Sequence, residues 1–373
     1  MPNPSPTVRK ITDELRRLRG LPRAQARTMS PAFYTSPEFL EFEKEELFRR
    51  EWICLGHAGE IPNAGDYFTT ELVGEQLLVL RADSGVRVLS NVCRHRGNII
   101  MRARAGNATR LTCGYHAWTY ALDGKLLGAP LMEHMDKTAC RLPQFAVEVW
   151  YGYIFVNLDG KAPPLLPRLE ALQPYVRNYH PEERHFLYGV EETWATNWKC
   201  LAENFMEGYH LSPTHAKTLH AITPTALCEK LPDDAAFTGY RSNFDPACPE
   251  RLPYHADLSP VERRSDVFYW IYPSFVVGFA PHFTLYMCIR PLTADSVGIR
   301  WGIAGVEPDP ASANAKAYVD LCHAFCAEDR ATLEGLQRGL KSRHYEYGLL
   351  SGDNYEGTVW DMLQYMARRL GGD

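Results

Sequence analysis

The sequence predicts an α+β protein with two domains: a small all-β domain, then a larger domain that combines an antiparallel sheet with long helices. Three observations support this prediction. The chain has 373 residues, which is long for one hydrophobic core. Short strand-like runs separated by turn residues fill residues 65–158. Beyond them, strand-like runs and two helix-like stretches follow, which is typical of α+β domains.

The composition indicates an ordinary globular chain. Hydrophobic residues make up 45% and charged residues 23% of the sequence. The formal net charge of −5 argues against a nucleic-acid partner. Residues 1–20 lack the apolar run of a signal peptide, and the most apolar run, 267–280, is too short to span a bilayer. We therefore expect a cytoplasmic protein with no membrane attachment.

The first 48 residues are expected to form a helical arm. Residues 1–35 are rich in arginine and lysine. Ser36 followed by Pro37 is a typical helix start, because serine caps the first turn and proline is tolerated there. An apolar side at helical spacing then follows, formed by Phe39, Leu40, Leu47, Phe48 and Trp52.

Residues 49–162 are expected to form the all-β domain. Turn residues such as Asp123-Gly124 and Asp159-Gly160 separate its short apolar runs. The strand-like runs include 76–80, 86–89 and 151–156. The prolines that mark the end of this domain are Pro163, Pro164 and Pro167.

The larger domain is expected to occupy residues 163–373. A helix is predicted over 197–209, and a long amphipathic helix over 315–340. The strand-like runs between these two helices are 267–271, 284–290 and 298–303.

Two Cys-plus-His pairs stand out among the ten cysteines. Cys93-Arg-His95 is followed, after seventeen residues, by Cys113-Gly-Tyr-His116. A [2Fe–2S] centre with two cysteines on one iron and two histidines on the other needs one thiolate and one imidazole from each of two loops. Structural zinc accepts the same residue types, but zinc fingers usually group their cysteines together and their histidines together. We therefore favour the iron–sulfur cluster and keep zinc as the alternative.

A second group of metal-ligand residues begins on the predicted helix 197–209. At helical spacing, Glu203, Glu207 and His210 share one side. Buried carboxylates and imidazoles are unfavourable unless they are paired or bind a metal. Ser212-Pro213 is expected to end the helix, so that a turn brings His215 back beside His210.

The third ligand of this second group is expected from the helix 315–340. Two histidines and one carboxylate form the facial triad of Fe(II) oxygenases, which leaves coordination positions open. Asp329 lies in the apolar stripe of that helix, where a carboxylate otherwise does not belong. A salt-bridged buried aspartate is the alternative. Glu328 lies off the stripe and is interpreted as a solvated acid.

Taken together, these residues resemble the Rieske non-haem iron oxygenases, namely the catalytic alpha subunit of the homotrimeric, ring-hydroxylating type. The resemblance covers most of the chain, from about Thr35 to Arg369. The second cysteine–histidine loop departs from the family pattern, which usually has proline after the cysteine and glycine after the histidine; this chain has Gly114 and Ala117 there. The segments that carry the resemblance are Cys93 to His95, Cys113 to His116, Glu203-Asn204, Glu207, Tyr209-His210, His215 and Glu328-Asp329.

The resemblance implies a role for each part of the chain. The catalytic domain would have the helix-grip fold, with His210, His215 and Asp329 holding a mononuclear Fe(II), and with Asn204 and Glu203 supporting them. Glu207 would connect this iron to the cluster of a neighbouring chain through His116, in a homotrimer. A separate ferredoxin or flavin reductase would supply electrons from NAD(P)H, since the chain has no Gly-rich dinucleotide fingerprint of its own.

The sequence leaves the substrate open. We expect O₂-dependent hydroxylation of a small aromatic compound or aromatic acid, with Arg290 or Arg300 as a possible carboxylate partner, although a surface position is the simpler interpretation for both. The alternative is oxidation of a quaternary or N-methyl amine, which needs an aromatic cage. A non-catalytic iron–sulfur or zinc module is a remote third option, because it would not explain the second group of ligands. The candidate cage residues are Phe268, Tyr269, Trp270, Tyr272, Phe279, Phe283 and Tyr286.

Overall fold

The computed structural model describes residues 4–250 and 252–372 of the chain. Contacts divide the chain into two compact units. One unit is formed by residues 49–165, and the other combines the chain before residue 49 with the chain after residue 165. The expected all-β domain, 49–162, lies within the first unit, whereas the N-terminal arm belongs to the second.

The unit 49–165 consists of three small antiparallel sheets, with strand orders β1-β10-β9, β4-β3-β2-β5 and β6-β7-β8. The predicted runs 76–80, 86–89 and 151–156 correspond to β3, β4 and β10, so these predictions are confirmed. The strands are β1 Ile53–His57, β2 Asp66–Leu72, β3 Glu75–Ala82, β4 Gly85–Ser90, β5 Ala105–Asn107, β6 Leu111–Thr112, β7 Thr119–Tyr120, β8 Leu126–Gly128, β9 Ala146–Trp150 and β10 Tyr153–Asn157.

The second unit begins with the arm. Helix α1 spans Pro6–Leu18, α2 spans Pro31–Thr35, and α3 spans Pro37–Glu43 and continues into a π-helical turn at Lys44–Phe48. The hydroxyl of Ser36 accepts a hydrogen bond from the N–H of Phe39, which is the cap that the sequence predicts.

A seven-stranded antiparallel sheet forms the core of the second unit, with strand order β11-β17-β16-β15-β14-β13-β12. The three predicted strands of this region correspond to β14, β16 and β17 and are confirmed. The strands are β11 His185–Trp194, β12 Cys228–Leu231, β13 Phe237–Asn243, β14 Ser265–Ile271, β15 Phe275–Phe279, β16 Phe283–Thr293 and β17 Ser296–Gly305.

The remaining helices accompany this sheet. The long helix α8 confirms the amphipathic helix predicted over 315–340. Among the described residues, no helix is both long and apolar enough to cross a bilayer. The helices are α4 Leu165–Arg168, α5 Gln173–Val176, α6 Trp198–Phe205, α7 Leu211–Thr214, α8 Ala313–Gly339 and α9 Asp353–Leu370.

The helix predicted over 197–209 is shorter than expected. It ends at Phe205, and Met206 has the non-helical angles φ −108° and ψ 14°. The carbonyl of Met206 accepts a hydrogen bond from Thr358 of α9, and the N–H of Gly208 donates to the carbonyl of Tyr355 at 3.0 Å. A Cβ at Gly208 would lie 2.3 Å from the sulfur of Cys228, so only glycine permits this approach. Hydrogen bonds to helix α9 therefore replace those of the last predicted helical turn.

Candidate metal centres

The two Cys-plus-His pairs lie in two loops, each of which is closed by its own backbone hydrogen bonds. In the first loop, the N–H of Cys93 donates to the carbonyl of Asn98 at 2.9 Å, and in the second the N–H of Cys113 donates to the carbonyl of Trp118 at 2.8 Å. Both thiols are buried in the core of this unit. The sequence thus folds locally so that each loop presents one cysteine inward.

Hydrogen-bond donors surround the two sulfur atoms. The amide of Asn98 donates to the Cys113 sulfur at 3.5 Å, and the hydroxyl of Tyr120 lies 3.3 Å from the Cys93 sulfur. Burial opposes ionisation of Cys113, but the Asn98 amide and the N–H groups of Tyr115 and His116 lower its pKa below the ordinary value. This environment favours a thiolate, the form in which cysteine binds metal.

The two histidines of these loops face each other. The rings of His95 and His116 lie 4.6 Å apart between centroids, and His95 stacks on Trp118 at 4.9 Å. His116 is exposed, whereas Nδ1 of His95 is buried and has no hydrogen-bond partner in the part of the chain that the structure describes. A buried nitrogen of this kind is expected where an imidazole binds a metal, because other buried polar atoms are nearly always hydrogen-bonded.

The spacing of the four side chains fits a two-iron cluster better than zinc. A tetrahedral ion with bonds of about 2.0–2.3 Å holds its four ligand atoms within about 4 Å of one another. In the described residues, no three ligand atoms of Cys93, His95, Cys113 and His116 come within 4.8 Å as one group. Two thiols and two imidazoles spread over a wider span suit the [2Fe–2S] arrangement.

The second group of ligands converges at one point of the catalytic unit. His210 and His215 flank the short helix α7, and Asp329 lies on α8. Nε2 of His215 and Nε2 of His210 lie 3.1 Å and 3.5 Å from Oδ1 of Asp329. Ligand atoms at right angles on an ion with bonds of about 2.1 Å would be about 3 Å apart. The spacing and the donor set therefore fit a facial triad for Fe(II).

Two details of the predicted geometry need correction. Glu207 and His210 do not continue helix α6, because the chain turns after Phe205. Ser212 and Pro213 do not break a helix either; they lie inside α7, with His210 before its first residue and His215 after its last. A single short helix, rather than the end of a long one, brings the two imidazoles together.

A carboxylate is hydrogen-bonded to Nδ1 of each imidazole. Nδ1 of His210 lies 2.6 Å from Oε1 of Glu207, and Nδ1 of His215 lies 2.8 Å from Oε2 of Glu328. Burial opposes protonation of His210, but Glu207 raises its pKa above the ordinary value overall. The interpretation of Glu328 as a solvated acid was wrong, because its side chain is only 25% exposed and is bonded to His215.

The two expected supporting residues have different partners. Asn204 contacts Asp329, and Glu203 contacts Tyr34. The amide of Asn204 donates to Oδ1 of Asp329 at 2.9 Å, in a buried contact. Glu203 instead accepts a hydrogen bond from the hydroxyl of Tyr34 at 3.1 Å and lines a separate cavity of about 300 Å³. Asn204 is therefore adjacent to the triad, and Glu203 is not.

A pocket opens beside the triad, against one face of the sheet. Its cavity volume is about 90 Å³, smaller than that of the cavity beside Glu203. Across β13 to β16, Tyr240, Phe268, Gly278 and Leu285 form one row in register. Gly278 makes room for the neighbouring ring, because a Cβ there would lie 2.4 Å from Phe268. The aromatic residues that line the pocket are Phe205, Tyr240, Phe244, Phe268, Phe283 and Phe325.

The expected pocket residues are only partly found there. Of the seven candidate cage residues, Phe268 and Phe283 line the pocket. His282 also lines it, as does Asp266. Arg290 and Arg300 are not surface residues, since both are largely buried and pair with Glu191 at 2.9 Å. No sequence pattern points to Asp266, which lies on a strand of apolar and aromatic residues.

Comparison with known proteins gives consistent matches. Residues 175–372 match the family model described as "ring hydroxylating alpha subunit (catalytic domain)", and residues 51–146 match the Rieske [2Fe–2S] domain. The chain is 27% identical over 331 residues to the carnitine monooxygenase oxygenase subunit of Escherichia coli K12, which covers 86% of each chain. It is 31% identical over 223 residues to the glycine betaine monooxygenase oxygenase subunit of Pseudomonas aeruginosa UCBPP-PA14, covering 59% of this chain and 51% of that one.

Solved structures agree on the fold. A quaternary ammonium Rieske monooxygenase superposes with a TM-score of 0.81 at 25% identity and covers 94% of this chain and 98% of that one. Naphthalene 1,2-dioxygenase from a Rhodococcus species superposes with a TM-score of 0.77 at 21% identity, covering 98% of both chains. The fold is thus common to enzymes that act on very different substrates.

Proposed function

Because the chain belongs to the ring-hydroxylating family of Rieske non-haem iron oxygenase alpha subunits, we propose that it is the oxygenase subunit of a two-component monooxygenase that oxidises a quaternary ammonium or N-methyl amine. The sequence favoured an aromatic substrate. The relatives named for carnitine and glycine betaine, and the residues of the pocket, support the amine better.

The lining of the pocket is the observation that carries this proposal. Six aromatic rings and the side chain of Asp266 line it, and none of its described lining residues is lysine or arginine. Aromatic faces attract methylated ammonium groups through cation–π contacts. A carboxylate placed in this pocket, whether on an aromatic acid or on a betaine, would instead need a cationic partner. Tyr240 and Phe268, whose rings stack with centroids 5.2 Å apart, offer such a face.

The two sets of ligand residues would hold two different metal centres. His210, His215 and Asp329 would hold the mononuclear iron, and Cys93, His95, Cys113 and His116 would hold the cluster. When bound, the cluster supplies electrons and the iron activates O₂. The chain's own contribution is to orient each imidazole through Nδ1, so that Nε2 faces the metal, and to keep the substrate cation against the aromatic rings.

Glu207 is proposed as the link between the two centres. Its carboxylate already holds Nδ1 of His210, at 2.6 Å. In a homotrimer, the partner subunit's His116 would approach the same carboxylate, which would pass a proton between the two imidazoles as electrons move. Electrons would enter from a separate reductase that uses NAD(P)H, as expected for the oxygenase subunit of a two-component system.

Oxygen uptake across a substrate panel tests the amine assignment. Purified protein with a surrogate reductase is supplied with quaternary ammonium compounds, N-methyl amines and aromatic acids at equal concentrations. We expect substrate-dependent O₂ uptake, with loss of a methyl group or of the amine, only for the cationic compounds. Product formed from an aromatic acid, with none from any amine, would overturn the assignment.

A variant of the pocket tests the cation contact itself. Phe268→Leu keeps an apolar side chain but removes the aromatic face. We expect KM for the cationic substrate to rise about 10-fold, in line with a desolvated cation–π contact. The matched control is a neutral analogue in which a tert-butyl group replaces the trimethylammonium group, whose inhibition constant should barely change. An equal loss for both molecules would indicate a shape effect instead.

A further inference from the structure

Glu328 makes a close, defined contact with the back of His215. Its Oε2 atom lies 2.8 Å from Nδ1 of His215 and accepts a second hydrogen bond from the hydroxyl of Thr218 at 2.6 Å. The side chain of His215 is 1% exposed, so few other arrangements are open to its ring. Two donors on one carboxylate oxygen fix the position of that oxygen.

The turn after α7 places Thr218 in this contact. The carbonyl of His215 accepts hydrogen bonds from the N–H groups of Thr218, Leu219 and His220 at 3.0 to 3.1 Å. These hydrogen bonds hold the turn against the backbone of His215. They place the Thr218 hydroxyl beside Glu328 of α8. Thr218, Glu328 and His215 form a short polar chain behind the triad.

This contact determines which nitrogen of His215 faces the metal site. A carboxylate accepts only, so Nδ1 must carry the proton, and this tautomer is assigned from the hydrogen bond. Nε2 is then left with its lone pair toward Asp329, whose Oδ1 lies 3.1 Å away. A carboxylate behind a ligating imidazole also makes the imidazole a stronger donor to the metal.

Helix α8 thus acts on the site through two adjacent residues. Successive residues of a helix point about 100° apart, so Asp329 faces the triad while Glu328 faces the turn after α7. One helix would then supply one ligand and orient another.

We propose that Glu328 is a positioning residue that, with Thr218, holds His215 in the tautomer and orientation that bind the mononuclear metal. The inference rests on the proposed metal site but not on the amine substrate. It predicts that the affinity and ligand field of the site change when Glu328 changes, whatever the substrate is.

Cobalt(II) binding tests this directly. The mononuclear site of cluster-loaded protein is emptied with a chelator and titrated with Co²⁺, and the visible ligand-field bands are recorded. We expect Glu328→Ala to weaken Co²⁺ binding about 10- to 100-fold and to shift the bands, as is usual when the partner of a ligating histidine is lost. Glu328→Gln, which retains an acceptor, should lose less.

Two further variants are needed: Thr218→Val tests the second hydrogen bond, and Asp320→Asn is the control. Thr218→Val removes the second donor without touching the carboxylate, and we expect a smaller loss of affinity that does not add to that of Glu328→Ala in the double variant. Asp320→Asn removes an exposed carboxylate from the same helix and should leave Co²⁺ binding unchanged. Cluster absorbance and thermal midpoint report whether each variant is folded.

The outcomes distinguish the positioning role of Glu328 from the existence of the metal site. Wild-type affinity and spectra in Glu328→Ala and Thr218→Val would overturn the positioning role while leaving the metal site intact. Undiminished Co²⁺ binding in His210→Ala would instead overturn the metal site itself, and the inference with it.

Discussion

Ala117 occupies a left-handed backbone conformation, with φ of +57°, in the loop that follows His116. This region disfavours residues with a Cβ by about 1–2 kcal/mol, and glycine adopts it freely. The family pattern usually has glycine at this place. The structure gives the physical reason, because the loop keeps the glycine conformation while the chain carries alanine.

Ala117→Gly should therefore stabilise the unit 49–165. We expect an increase of about 1 kcal/mol in its unfolding free energy, since the relief of backbone strain exceeds the added entropy of the unfolded chain. Chemical denaturation followed by cluster absorbance measures the change. A decrease in stability would show that the Cβ of Ala117 makes contacts worth more than the strain.

Glu203 is a carboxyl group whose position has a consequence for stability. It faces a cavity lined by Tyr34, Cys200 and Tyr345 among others. Burial raises its pKa from the ordinary 4.5 to about 8, against the lowering effect of the Tyr34 hydrogen bond. An acid with a raised pKa binds its proton more tightly in the folded protein than in the unfolded chain.

Glu203→Gln should change the pH dependence of stability. The contribution of Glu203 to stability is expected to fall as the pH rises from about 4.5 toward about 8, because in that window the unfolded chain releases the Glu203 proton and the folded protein keeps it. Relative to wild type, the variant should gain up to about 1.4 kcal/mol per pH unit across the window. Urea denaturation at several pH values measures this gain.

The control for Glu203→Gln is Glu346→Gln, which changes an exposed glutamate. This control should follow the wild-type pH dependence. A Glu203→Gln profile parallel to wild type would contradict the raised pKa.

At the scale of elements, a buried ion pair connects the arm to helix α6. Nζ of Lys199 lies 2.8 Å from Oε1 of Glu43, and the two side chains are 1% and 0% exposed. The indole N–H of Trp198 donates to the other carboxylate oxygen at 3.2 Å. The pair therefore fixes α3 against α6, the helix that also carries Asn204 to the triad.

Lys199→Met should be strongly destabilising. Removal of one partner leaves the Glu43 carboxylate buried without its cation, and we expect a loss of about 3–5 kcal/mol in the unfolding free energy. The double variant Lys199→Met with Glu43→Leu should regain most of that loss, because both charges are then absent. Thermal and chemical denaturation measure both; equal losses in the single and double variants would contradict the argument.

At the scale of the whole molecule, the two proposed metal centres lie in different compact units. The cluster ligands belong to residues 49–165, and the triad belongs to the other unit. The exposed ring of His116 is available to another chain. Head-to-tail contacts close into a ring when the rotation between subunits allows it, which is the geometry expected for a homotrimer.

In the proposed homotrimer, mixed trimers of two variants test whether electrons cross between chains. His116→Ala removes a proposed cluster ligand and His210→Ala removes a proposed iron ligand, so each variant alone should be inactive. After subunit exchange at equal amounts, about one quarter of the neighbouring pairs combine an intact cluster with an intact triad, and about that share of wild-type activity should return. If mass spectrometry shows mixed trimers but no activity returns, electron transfer occurs within a chain.

The chemistry-bearing residues could be read from the sequence because their types and spacing are local. The alternation of cysteine and histidine at 93–95 and 113–116, and a lone aspartate in the apolar stripe of a helix, are visible without any fold. The strands 267–271, 284–290 and 298–303 were equally visible, since side-chain alternation is set by the strand itself.

The sequence by itself determined which residues are proposed to bind the metals, and only the tertiary structure decided which side chains hydrogen-bond to those residues. Glu328 and His215 are 113 positions apart, so no local pattern records their contact. The end of α6 at Phe205 depends on Thr358 and Tyr355, which also come from a distant helix. The lining of the pocket likewise combines alternate residues of four strands. Such contacts follow from how elements pack, and packing depends on the complementarity of whole surfaces rather than on the spacing of residues along the chain.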